Sequence, residues 1–174
     1  DPRNSFLNDV FERKTGIPIS LAVILMGVGA RAGLALAGTS MPMHFLSRLL
    51  GTTQPLLIDG YDGGRQLTES DCRQLINKLS GGRIAFNRTM IEVISTGQML
   101  TRMLNNLKMI YLGHSQFEHA IDVLDRLIII NPDQHRLLCQ RGLVHYRLGH
   151  IEATQRDLRE YLRHESEPEE ISHI

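Results

Sequence analysis

Apolar positions along this chain follow two different periods, and the change between them divides the sequence. Phe6, Leu7, Val10 and Phe11 recur at helical spacing, and Asn4 or Ser5 stands where a cap belongs, so the pattern predicts an amphipathic helix over about 6–14. Pro18 then stands at the start of a second helix over about 19–32, where its missing N–H costs nothing, and Gly33 can supply a left-handed end. That helix is apolar almost all round, which predicts a place in the middle of a domain. From Leu34 to Asp59 the pattern shortens to three strands, over about 34–38, 44–50 and 55–59. Gly51-Thr52 suits a two-residue hairpin turn of type II′, which would place His44 opposite Asp59. Asp62-Gly63-Gly64 marks a loop, and Thr68 with Asp71 forms a capping box for a helix running through Cys72 to Lys78, closed by Gly81-Gly82.

The stretch from Arg83 to Ile94 reads both ways. Ser95-Thr96-Gly97 marks a break, after which the pattern is helical to Arg163 and the remaining polar, acidic residues are expected to fray. A domain boundary falls near 96, separating domain 1–96 from segment 97–174. In the second part an offset of 34 residues aligns Leu104 with Leu138, Glu118 with Glu152, Leu124 with Leu158, Phe117 with Ile151 and Leu127 with Tyr161. Leu107, Tyr111, Ala120, Pro132, Gly142, Gly149 and Leu162 complete a resemblance to the tetratricopeptide (TPR) pattern. The second copy is degenerate, with Thr154 where a small residue is usual and Ser166 in place of a closing proline. Each copy is a helical hairpin that cannot bury its apolar face alone.

Composition narrows the function classes. The chain has 174 residues, 42% of them hydrophobic, which is enough for a real core. Its 19 Lys and Arg balance 19 Asp and Glu, so no long-range field favours a polyanion, and nucleic acid is not an expected partner. The apolar run from Ile17 to Ala30 falls short of the roughly 20 residues that cross a bilayer, so no membrane is expected either. Two cysteines are too few for a disulfide framework, and the expected compartment is the cytoplasm. The opening Asp1-Pro2-Arg3 carries no visible targeting segment, and an upstream portion is expected to be missing.

Several chemical motifs fail on spacing. Gly27, Gly29 and Gly33 lie within and at the end of a helix, one residue too widely spaced for a dinucleotide fingerprint, so no cofactor is expected. His114 and His119, like His145 and His150, stand five apart and do not share a helical face, so no metal site is expected. The methionines Met41, Met43, Met90, Met99, Met103 and Met109 are read as adaptable packing at the domain junction and not as a binding strip.

One set of residues does not fail. Asn4-Ser5-Phe6-Leu7-Asn8, Gly16-Ile17-Pro18-Ile19-Ser20-Leu21, Ala30-Arg31-Ala32-Gly33-Leu34, His44-Phe45-Leu46, Asp59 before a Gly-Gly loop, Asp71-Cys72 and the run Arg102 to Lys108 occur in an order that resembles the bacterial SirB-type transglutaminase-like/TPR family. The resemblance implies an α+β chain: a small transglutaminase-like, papain-like domain with a short antiparallel sheet on a central helix, then two TPR hairpins. Such enzymes carry a cysteine at the start of the central helix, a histidine on the next strand and an aspartate beside it. These positions map to Ser20, His44 and Asp59. No cysteine precedes His44, and Cys72 follows the acid, so thiol chemistry is not expected. Asp59 is followed by Gly60, where the family usually has proline.

Two readings follow. In the leading one the chain is a non-catalytic or regulatory interaction protein on a degenerate core, with another protein or peptide as partner. In the alternative it is a hydrolase or acyl transferase: Ser20 attacks, His44 takes its proton, Asp59 orients the imidazole, and the helix N-terminus stabilises an oxyanion.

Overall fold

The computed structural model describes residues 1–164, and the expected acidic end lies outside the described residues. The chain forms two compact units, Asp1–Met103 and Leu104–Ile174. Their boundary lies inside a helix that begins at Thr96, so the sequence-level break near 96 marks the helix start and not the edge of a unit. Ser95 and Gln98 form that start: the Gln98 N–H donates to Ser95 Oγ at 3.2 Å, and the Ser95 N–H donates to Gln98 Oε1 at 2.8 Å.

Unit 1 opens with α1 (Leu7–Arg13) and α2 (Pro18–Arg31), followed by β1 (Leu36–Thr39), β2 (Leu46–Leu49), β3 (Leu56–Asp59), β4 (Arg65–Leu67) and α3 (Glu69–Ser80). The four strands pair antiparallel in sequence order. One face of the sheet buries Leu46, Leu57 and Leu67 against Cys72 and Ile76 of α3. Phe45 packs instead with Ile19 and Ala22 of α2, joined by Met99 and Met103. The Thr68–Asp71 capping box forms as the sequence predicts, and Gly81 ends α3 with a φ of 61°.

Four expectations need correction. Neither Asn4 nor Ser5 caps α1; Phe6 takes that position without a side-chain bond, and of the predicted apolar face only Val10 is buried. α2 is not enveloped: it buries Ile19, Ala22 and Gly29 while Val28 faces solvent. β4 was not expected, because Arg65-Gln66-Leu67 has one apolar residue and no alternation to reveal a short edge strand.

The fourth correction concerns register. β2 pairs β3 through Ser47↔Ile58, Arg48↔Leu57 and Leu49↔Leu56, shifted by two residues from the expected hairpin, so the connection is longer than Gly51-Thr52. The expected register would put Pro55, which has no N–H, into the ladder of a strand paired on both sides. Side chains alternate with period two, so this shift leaves every side chain on its expected face.

Unit 2 comprises the remainder of α4 (Thr96–Gly113) with α5 (Phe117–Ile130), α6 (Arg136–Arg147) and α7 (Ile151–His164). Leu107, Tyr111, Ala120, Leu124 and Leu127 form its core with Leu137 and Val144. A Cβ on Gly142 would meet the Leu158 side chain at 3.1 Å, which is why α6 carries its smallest residue where α7 crosses. Among the described residues no single helix is long and apolar enough to cross a membrane.

Candidate functional site

The residues singled out in the sequence lie in unit 1. His44 precedes β2, following a tight turn in which Met43 adopts a φ of 62° and the His44 N–H donates to the Met41 carbonyl. Asp59 ends β3. Despite the shifted register, His44 Nε2 and Asp59 Oδ2 are 2.7 Å apart, and the two residues are 6% and 4% exposed. The other carboxylate oxygen, Oδ1, accepts the Tyr61 and Asp62 N–H groups at 2.9 and 3.2 Å. Asp59 thus closes its own turn with one oxygen and fixes the imidazole with the other, which makes Nδ1 the ring nitrogen left for any partner. The Tyr61 ring stands edge-on to His44, with centroids 6.1 Å apart.

The end of β3 lies against the start of α2. A Cβ on Gly60 would sit 3.5 Å from the Leu21 carbonyl carbon, an ordinary packing distance. Ser20, next along α2, is fully buried. Its Oγ accepts the Ile17 N–H at 3.0 Å, satisfying one of the open donors of the first turn. Its hydroxyl has acceptors in the carbonyls of Asn4, at 2.7 Å, and Ile17, at 3.0 Å. A Cβ on Gly16 would approach Ser20 Oγ to 2.7 Å, so the hydroxyl is roofed by backbone. Among the described residues no hydrogen bond joins Ser20 to His44. The structure brings the histidine to the aspartate, and it commits the serine to backbone carbonyls and an amide.

Arg102 holds this arrangement in place, a role the sequence did not disclose beyond including it in the family-like run. Its guanidinium donates to the carbonyls of Met41 and His44, both at 2.8 Å, and to Ser40 Oγ. It also lies over the Phe45 ring, 5.5 Å from the centroid. Burial pulls its pKa below the ordinary arginine value. A cation without a carboxylate among its bonded partners gives no charge-pattern signal in sequence.

Cys72 is buried in α3, and desolvation first, with Asp71, Asp59 and Glu69 adding to it, pushes its thiol up from 9.0 to about 11. It is a packing residue in the protonated state. Asp59 also lines a cavity of about 170 Å³ with Arg65, Asp71 and Lys78, and neither Ser20 nor His44 lines it. Among the described residues no group of three or more His, Cys, Asp or Glu could hold a metal. His145 and His150 nevertheless meet, Nδ1 to Nδ1 at 3.2 Å, because Gly149 turns the chain between α6 and α7. Helical spacing could not show this, since the pair does not belong to one helix. Met41 and Met90 pack in the cluster of Leu46, Leu57 and Ile76, and Met99 and Met103 pack beside Phe45, whereas Met43 and Met109 are exposed.

Comparison with known proteins agrees with this architecture. Residues 1–105 match the model of the transglutaminase-like superfamily, and residues 107–174 match a tetratricopeptide repeat model. A UPF0162 protein of Xylella fastidiosa is 38% identical over 166 residues, covering 94% of this chain and 59% of that protein. A UPF0162 protein of Pseudomonas aeruginosa is 30% identical over 131 residues, or 75% of this chain and 47% of the relative. Human F-box only protein 21 is 28% identical over 159 residues, spanning 84% of this chain and 24% of that protein. The chain therefore spans somewhat more than half the length of the Xylella relatives. No solved structure matches it significantly.

Proposed function

We propose that this chain, which belongs to the transglutaminase-like superfamily and continues into tetratricopeptide repeats, works as a non-catalytic interaction or regulatory protein. The observation that carries this reading is the state of Ser20. Its hydroxyl is fully buried and engaged with backbone groups of Asn4 and Ile17. A nucleophile needs its lone pair directed at substrate and its proton directed at a base. Ser20 offers neither, and an alcohol starts with a far higher pKa than the thiol it replaces. The partner is another protein or a peptide, and the expected setting is the cytoplasm.

A second reading is favoured by one observation, the 2.7 Å His44–Asp59 bond, which leaves Nδ1 able to act as a base. In that reading the Ser20 hydroxyl releases the Asn4 carbonyl and turns to Nδ1, which takes its proton as Oγ adds to an acyl carbon and returns it to the departing group; water, as in a hydrolase, or another nucleophile, as in an acyl transferase, then takes the acyl group from Ser20. Labelling with a fluorophosphonate that reacts with activated serines separates the two. The interaction reading expects equal background labelling of wild type and Ser20→Ala. Labelling that depends on Ser20 and is lost in His44→Ala would establish the enzyme instead.

A further inference from the structure

The turn between α6 and α7 is built on Gly149, which is left-handed with a φ of 75°. The Gly149 N–H donates to the Tyr146 carbonyl at 3.0 Å and the His150 N–H to the His145 carbonyl at 2.9 Å, the paired bonds of a Schellman helix ending. Such an ending brings together the side chains at the positions that 145 and 150 occupy here, and the contact is usually apolar. This chain puts two imidazoles there, with their Nδ1 atoms 3.2 Å apart. The ring centroids are 5.5 Å apart, so the two nitrogens point at one another. One Nδ1 then carries a proton and the other accepts it. A metal would need lone pairs that converge instead of opposing, and among the described residues no third His, Cys, Asp or Glu completes a metal group.

A proton shared in this way survives one protonation and not two. With both rings neutral, or with one charged, a bare Nδ1 remains to accept; with two imidazoliums no acceptor is left, and two N–H groups face each other. The surroundings oppose that second charge. Burial, first, holds His145 below the ordinary histidine value; the Asp157 carboxylate works against this, and Arg141, His150 and Arg156 reinforce it. Asp157 is in any case bound through both oxygens by Arg141, which also takes Asp125 of α5. Where α6 begins and α7 ends the situation differs: His135 and His164 stack with centroids 3.8 Å apart, and His164 Nε2 lies 3.2 Å from a Glu160 oxygen, which Arg163 also meets. A proton there has a carboxylate beside it.

We propose that the His145–His150 contact is a proton-operated clasp on the α6–α7 hairpin, closed near neutral pH and released in mild acid when both rings become charged. The folded chain holds a proton on His145 less tightly than the unfolded chain does, so this contribution to stability is full above the ordinary value of 6.5 and is lost as pH falls below it. His150 is exposed, so solvent supplies the second proton directly. Release loosens the second repeat, and acid thereby changes the surface that unit 2 offers. The clasp does not depend on the state of Ser20.

Hydrogen exchange of the full chain, read by mass spectrometry at about pH 7.5 and about pH 5.5 and corrected for intrinsic exchange, tests this against the double variant His145→Leu/His150→Leu. The leucines supply the apolar contact usual at such an ending and take no proton. On acidification the wild type is expected to lose about tenfold more protection than the variant over residues 148–164. Equal loss in the two proteins overturns the proposal. Should the double variant fail to fold, the ring nitrogens of the wild type decide, with His150→Gln to assign them. Long-range proton–nitrogen spectra are expected to show the pair titrating in two separated steps, and a single unsplit step for both rings overturns the clasp. So does zinc chloride that protects the turn of the wild type at neutral pH and not that of His150→Gln, which would assign the pair to a metal.

Discussion

Each unit buries a carboxylate against a nitrogen base, and the two differ in what the partner has left over. In unit 2, Asp157 is almost wholly buried and receives Arg141 through both oxygens, at 2.6 and 2.9 Å, while the same guanidinium reaches Asp125 at 2.6 Å. These bonds raise the pKa of Arg141 further above its ordinary value, and the fork ties α5, α6 and α7 together. In unit 1, Asp59 meets an imidazole that keeps Nδ1 in reserve and uses its second oxygen to close a turn. The first arrangement is structural because every group in it is engaged. The second leaves a ring nitrogen over, while the Ser20 hydroxyl is engaged with backbone groups of Asn4 and Ile17. A buried histidine–carboxylate pair is therefore insufficient evidence of chemistry, and the state of the third group decides.

That contrast can be broken at several points. The largest effect is expected from Arg141→Ala, which strands a buried carboxylate and should cost about 3 kcal/mol in urea denaturation, with Arg156 at 3.4 Å offering partial relief. A loss near zero would make the unit 2 network ornamental. Asp59→Ala should cost about 2 kcal/mol, because it removes the acceptor for two turn amides and for the imidazole. If stability were unchanged, Asp59 would be held for function alone.

Ser20→Ala sharpens the comparison from the other side. A capping serine should cost about 1 kcal/mol when lost, whereas a nucleophile kept at the expense of stability should give a neutral or more stable variant. Thermal denaturation of the two proteins side by side distinguishes these outcomes.

The last effect is absent at neutral pH. The folded-state pKa of Cys72 is raised, so the native state holds that proton more tightly than the unfolded chain does. The resulting stability is complete below about 9 and is lost as pH climbs toward about 11. Cys72→Ala should flatten that alkaline decline. At pH 8, Cys139, which is half-buried, should react with iodoacetamide faster than Cys72, and the reverse order would contradict the packing of α3 on the sheet.

What could be read without coordinates was local. The Thr68–Asp71 box, Pro18 at the head of α2, the left-handed glycines at 33 and 81, and the repeated helical hairpins each depend on residues a few positions apart. The facing of His44 and Asp59 was legible too, although the expected turn was wrong, because a two-residue shift preserves the side of a strand. Tertiary structure alone decided that Asn4 accepts from Ser20, that Arg102 clasps the loop carrying His44, and that the carboxylates of α5 and α7 converge on Arg141. Caps and periodicity follow from backbone geometry within a turn or two, whereas these bonds join groups from separate elements, and only packing determines which of many equivalent polar groups end as neighbours.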